Sequence, residues 1–210
     1  MNPPASFLDL SEQAFLERVK VRSSYKERSL KTLITVHWPE LTRRLDLPSH
    51  ILPDSPTSSR ESNEQEERDD PFALPPNLSN KSRMDIVYLG NSMLERLKTT
   101  GKSTKLAQCG RDSTAWNVGC GGDKNENVMY RLFGDVKALH HALKPFSDIK
   151  LWVVISGTNN LRKKPFHLAD TESYQLLLES CLWIAPKSKV IACDMFYRKD
   201  IPDAVVDESN

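Results

Sequence analysis

Apolar positions along the chain follow two rhythms, separated by a stretch that has none. From Ser11 to about Thr35, Phe15, Leu16, Val19, Leu30, Leu33 and Ile34 form an imperfect stripe at helical spacing, with Ser11 placed to cap it. Trp38, Leu41, Leu45 and Leu47 predict one further short helix. Between Thr57 and Asp70 no residue is apolar. Beyond Met84 the rhythm changes to short continuous apolar runs. Asp85–Leu89, Trp116–Val118, Leu151–Ser156 and Lys189–Met195 read as four strands. Helical stripes separate them: Met93–Lys98, then Asn125 to about Leu143 with Val128, Met129, Leu132, Val136, Leu139 and Leu143, then Thr171–Ile184. Unalternated strands with helices between them predict a parallel sheet covered on both faces. Ligands of such sheets bind beyond the carboxyl ends of the strands.

Composition sharpens the boundaries. All eight glycines lie at or after Gly90, and five of the thirteen prolines fall between Pro53 and Pro76. The chain therefore divides into a helical N-terminal extension (1–50), an acidic Pro/Ser-rich linker (51–82) and an α/β domain (83–210). The linker's Ser, Glu, Asp and Arg content buries too little surface to offset the entropy of ordering, so disorder is expected there. A net charge of +1 provides no field for nucleic acid. No apolar run approaches the ~18 residues of a membrane span, and the first residues lack a secretory pattern. Cys109, Cys120, Cys181 and Cys193 show no metal-binding spacing. A cytoplasmic protein without metal or cofactor is expected. Arg18, Lys20, Arg22, Lys26, Arg28 and Lys31 make the first helix basic. Docking on an acidic partner or membrane surface is one explanation; a solvated face balanced by Glu12, Glu17 and Glu27 is the commoner one.

Chemistry concentrates where three strands end. Gly90-Asn91-Ser92-Met93 follows the first, and a serine there joins a nucleophile to an unpaired helix N–H. Its ordinary role would be an N-cap. Asn117-Val118-Gly119-Cys120-Gly121-Gly122-Asp123 follows the second, where glycine lets the backbone approach a ligand closely. A plain tight turn with Asp123 capping the next helix would look the same. The spacing is neither a dinucleotide fingerprint nor a P-loop. Gly157-Thr158-Asn159-Asn160 follows the third, and a strand-end Asn can donate to a developing oxyanion, or simply make a turn.

Taken together and in this order, these three blocks resemble those of the SGNH (GDSL-type) hydrolase superfamily, most closely its platelet-activating-factor acetylhydrolase-like branch. The resemblance covers roughly Met84 to Asn210. It implies a flavodoxin-like three-layer α/β/α sandwich and a serine esterase or acylhydrolase acting on a small-molecule ester. Ser92 would be the nucleophile. The oxyanion hole would consist of the Ser92 N–H, the Gly122 N–H and the Asn159 side chain.

Two departures qualify the expectation. Asn91 stands where the family's Gly-Asp-Ser block carries an acid. The family's closing Asp-x-x-His block, whose His is the general base, has no counterpart before Asn210. The resemblance therefore implies a C-terminally incomplete domain with four of five strands, weak or inactive as an enzyme. His167 is the only histidine expected on the correct face, where it would be a weak substitute base. The alternative is a non-catalytic scaffold, or a partner-binding protein using its basic N-terminal helices. In the flavodoxin-like strand order, the fourth strand would become an apolar edge open to self-association. Lys163 and Lys164 beside the asparagine block would favour an anionic substrate, although such lysines are ordinarily just solvated.

Overall fold

The computed structural model describes residues 7–47, 84–109, 114–162 and 164–210. The expected linker over 51–82 lies outside the described residues, as do His50 and Lys163. Helix α1 (Glu12–Arg22) opens at Ser11, whose Oγ accepts the Ala14 N–H at 3.2 Å. It does not continue to Thr35. The chain leaves the helix at Ser23, whose Oγ bonds back to the Val19 carbonyl at 2.9 Å, and re-enters it after Lys26. Adjacent serines offer the backbone such competing bonds. α2 (Glu27–Thr32) then widens into a π-helical turn (Leu33–His37) and tightens again as α3 (Trp38–Arg44). Pro39 supplies the reason: it has no N–H to return to the preceding turn. The Trp38 N–H reaches Leu33 instead.

The sheet has four parallel strands, β1 (Ile86–Gly90), β2 (Ala115–Gly119), β3 (Leu151–Ile155) and β4 (Lys189–Ala192), in the order β2-β1-β3-β4. This is an all-parallel α/β fold flanked by helices, consistent with a flavodoxin-like sandwich. Between the strands lie α4 (Ser92–Arg96), α5 (Lys105–Cys109), α6 (Asn125–Phe133), α7 (His140–Phe146) and α8 (Leu168–Ile184). α9 (Asp203–Ser209) follows β4. The single helix expected from Asn125 to Leu143 is two. Gly134 ends the first with extended backbone, and Lys137 takes a left-handed φ of 48° before α7 begins. The apolar periodicity persists because both pieces bury residues in one core. β4 ends at Ala192, three residues before the expected Met195.

Alternation along the strands sorts the side chains onto two faces. Val87, Leu89, Trp116, Val118, Trp152 and Val154 enter the larger cluster, together with Leu132 of α6 and Leu177 and Trp183 of α8. Phe15, Val19, Leu33, Trp38 and Leu41 of the N-terminal helices are buried in that same cluster. Phe15 stacks on Trp183 with ring centroids 4.8 Å apart. Burying a side chain of this size contributes about 2–3 kcal/mol. On the opposite face Tyr88, Ala115 and Ile155 pack with Leu94 of α4. The basic residues of the N-terminal helices are not simply a solvated face. Arg18 pairs with Glu179 at 2.8 Å, Arg22 with Glu172, and Arg28 with Glu95 at 3.1 Å, all on the α/β unit.

Candidate active site at the strand ends

Parallel register brings the three turns together. Gly90, the last residue of β1, is opposite Gly119 of β2 and Ile155 of β3. A Cβ at Gly90 would lie 1.9 Å from the Ile155 carbonyl oxygen, and its φ is +156°. Glycine is what lets β1 turn out beside β3. The next residue, Asn91, donates its N–H to Ile155 O at 3.1 Å and accepts the Met93 N–H on Oδ1 at 3.0 Å. Asn91, not Ser92, is therefore the N-cap of α4. Ser92 becomes the first helical residue, half-buried, and its hydroxyl makes no hydrogen bond with any described residue.

The glycine block folds as a tight turn, with the Asp123 N–H donating to Cys120 O at 3.3 Å and Gly122 at a left-handed φ of 76°. Neither the Gly121 nor the Gly122 N–H donates to a described residue. Asp123 does not cap α6; Lys124 occupies that position. The fully buried Asp123 carboxylate instead accepts from Arg131 Nε at 2.8 Å and from Ser29 Oγ at 2.5 Å. Arg131 is itself 0% exposed and also donates to Val118 O at 2.8 Å and Gly90 O at 3.0 Å. One guanidinium thus ties together the ends of β1 and β2 and the glycine turn. His37 Nδ1 lies 3.4 Å from the same guanidinium. Burial, reinforced by the Arg131 charge, pushes His37 well below its usual range, so its ring is neutral.

Both asparagines of the third block reach toward the second. Asn159 Nδ2 donates one hydrogen to Asp123 O at 2.8 Å. The amide carries two, so one donor remains. Asn160 is committed throughout: Oδ1 accepts the Asn125 N–H at 3.0 Å, and Nδ2 reaches Glu126 at 3.1 Å and Asp170 at 3.3 Å. Around these turns Asn91 Nδ2, Asn125 Nδ2 and Thr158 Oγ1 are buried without a partner among the described residues. Beyond Gly157 a cavity of about 260 Å³ is lined by Ser156, Phe166, Tyr174, Cys193 and Met195, and the Tyr174 hydroxyl is likewise buried without a partner among the described residues.

No histidine is hydrogen-bonded to Ser92 among the described residues. His167 is exposed and caps α8, its N–H donating to Asp170 Oδ2 at 3.2 Å. His140 and His141 open α7, which leads into the N-terminal end of β3. His140 stacks on Phe133 and bonds Leu132 O at 2.8 Å, and burial pulls its pKa down to about 4. Among the described residues no group of three or more His, Cys, Asp or Glu converges as a metal site.

Arg131, Ser29, Lys26 and His37 are the residues that motif reading does not find. Arg131 did leave a signal, because it sits at helical spacing between Val128 and Leu132, a charge on the buried stripe of α6. The other three come from the N-terminal helices, with no local pattern pointing at the glycine turn. Lys26 Nζ donates to Gly122 O at 2.5 Å. No protein-family model matches the chain, and no curated protein is significantly similar to it.

Proposed function

We propose that this chain carries the nucleophile and oxyanion donors of an SGNH-type serine ester hydrolase. The observation that carries the reading is a set of unspent donors beside an unpaired serine. The Ser92 N–H, the Gly122 N–H and one Asn159 Nδ2 hydrogen stand at three neighbouring strand ends, next to a Ser92 hydroxyl that bonds no described residue. Preorganised donors of this kind stabilise charge as it develops on a carbonyl oxygen. In the reaction Ser92 Oγ adds to the ester carbonyl carbon, and the bond to the alcohol oxygen breaks. The serine proton passes through solvent water to the departing alkoxide. Water then cleaves the acyl-serine and restores the hydroxyl. The cavity beyond Gly157 would accept the acyl or alkyl part.

With no histidine bonded to Ser92 among the described residues, turnover by this chain should be slow. In triad hydrolases, loss of the base lowers kcat by about 10⁶-fold and leaves what binding and the oxyanion hole provide. The same observation favours the second reading, a scaffold that binds at this site without catalysis. A fluorophosphonate probe separates the two, since Ser92 Oγ must displace fluoride from its phosphorus. Expected under the first reading are labelling that Ser92→Ala abolishes and slow, Ser92-dependent hydrolysis of p-nitrophenyl acetate. Absence of labelling would leave the scaffold. Two accompanying expectations are a reducing compartment, supported by Cys120 and Cys181 packed as buried thiols, and self-association through β4. Among the described residues no helix is long and apolar enough to cross a membrane.

A further inference from the structure

The segment entering α2 crosses the gap between the serine block and the glycine block. Arg28 pairs with Glu95, one helical turn after Ser92, and Ser29 bonds Asp123 on the other side of the gap. A Cβ at Gly121 would fall 2.4 Å from Glu95 Oε2 and 2.6 Å from the Arg28 guanidinium, so the two blocks and this segment meet there. Lys26 lies over the turn itself, its Nζ on Gly122 O and 2.9 Å from where a Gly122 Cβ would stand.

Among Arg131, Arg28, Lys26, Asp123 and Glu95, the groups that meet at this turn, pairing leaves one cation over. Arg131 takes Asp123 at 2.8 Å and Arg28 takes Glu95 at 3.1 Å. Lys26 is 3.9 Å from Asp123, a carboxylate already held by Arg131 and Ser29, and its one hydrogen bond is to a neutral carbonyl. Its side chain keeps 33% of its exposure and can turn toward a ligand. Glu126 and Asp170 are committed to Asn160, Ser173 and the start of α8. Among the described residues, donors without a partner here are the Gly121 and Gly122 N–H groups and the buried Asn91 Nδ2, whose amide orientation is fixed because Oδ1 accepts from Met93. A surplus cation among unspent donors selects for negative charge.

We infer that Lys26 is a specificity-determining residue and that the preferred ester carries an anionic group, such as a carboxylate, a few bonds from the carbonyl attacked by Ser92. This rests on the Ser92 reading and names the substrate class for that site. Lys26 binds the anion and takes no part in bond making.

The test compares p-nitrophenyl hemisuccinate with p-nitrophenyl acetate as acyl donors, read as p-nitrophenol release per Ser92. The wild-type protein should favour the hemisuccinate by about fivefold, as expected of a partly exposed ion pair. Lys26→Gln should abolish the preference, Lys26→Glu should reverse it, and Lys26→Arg should retain it. A second readout does not need chemistry: monomethyl succinate binding, followed by NMR shifts of the Gly121 and Gly122 amides. Binding weakened in Lys26→Gln and kept in Ser92→Ala supports the inference even where the fluorophosphonate fails to label, in which case only the Ser92 reading falls. Labelling at Ser92 with an ester preference indifferent to the charge at residue 26, or succinate binding indifferent to it, would overturn the inference.

Discussion

Among the described residues the sheet has two edge strands, and they are built in opposite ways. β2, Ala-Trp-Asn-Val-Gly, pairs only with β1 and is buried at all five positions. β4, Lys-Val-Ile-Ala, pairs only with β3 and is exposed at three of its four. The strand that carries an asparagine is covered; the one with the Val-Ile pair is open. What differs is the material brought alongside. His37 of the N-terminal helices packs edge-on to Trp116, and Asn117 Nδ2 donates to Leu94 O of α4 at 2.8 Å. Arg131 bonds the Val118 carbonyl. Burial at an edge thus reflects what the rest of the chain delivers to it, and the candidate donors cluster toward the covered side. Removing what covers β2 should therefore damage both stability and site, whereas changing β4 should affect neither much.

The largest effect is expected at Arg131. Arg131→Met would leave the buried Asp123 charge with only Ser29 and the more distant Lys26 beside it, and would take one donor from each of the Gly90 and Val118 carbonyls. Breaking one partner of a buried ion pair typically costs about 3–5 kcal/mol. The loss should appear as a lower denaturation midpoint in urea, with faster amide exchange at Gly119–Asp123. Adding Asp123→Asn should recover part of it, because the second change removes the stranded charge. A single variant as stable as the wild type would show that the guanidinium does not hold the turns together.

The same contrast explains what could be read from sequence alone. The strands were legible because continuous Val and Ile runs have few alternative uses, and parallel order followed from the helices between them. The covering of β2 was not. Arg22 and Glu172 are 150 residues apart, and Ser29 and Asp123 are 94 apart, so no window of sequence contains both members of either pair. The break of the long helix at Gly134 carried a visible glycine, yet the apolar stripe continues across it and masks the stop. At the site, the three blocks mark the strand ends that carry Ser92, Gly122 and Asn159. The cap at Asn91 could not be separated from a cap at Ser92 by residue type alone, since both residues are good N-caps.

A smaller effect, spread over both the core and the covered edge, should follow acidification. His37 and His140 are held neutral in the fold by burial, with pKa values below the ordinary 6.5, that of His140 near 4. Above pH 6.5 neither state binds these protons and stability is flat in this respect. Below it the unfolded chain takes them up while the folded chain does not, so stability falls with pH. For His140 the loss is complete near pH 4. Each withheld proton contributes a slope of up to about 1.4 kcal/mol per pH unit. Urea midpoints measured between pH 7 and pH 5 should decline in the wild type and decline less in His140→Phe. An identical decline in both would mean that His140 titrates freely in the fold.

The smallest change in stability is expected at the open edge. Ile191 is 50% exposed on β4, so replacing it removes little packing. Ile191→Lys should alter the unfolding free energy by no more than about 0.5 kcal/mol, the ordinary range for a surface site. Its effect should be on association. An edge strand with one unpaired side and an apolar side chain can template pairing with another copy, and a lysine there opposes it. Sedimentation velocity across a concentration series should show the wild type shifting to larger species while Ile191→Lys stays monomeric with an unchanged melting transition. A wild type that stays monomeric throughout would mean that β4 is open without being adhesive. The two edges would then differ in burial but not in their tendency to pair.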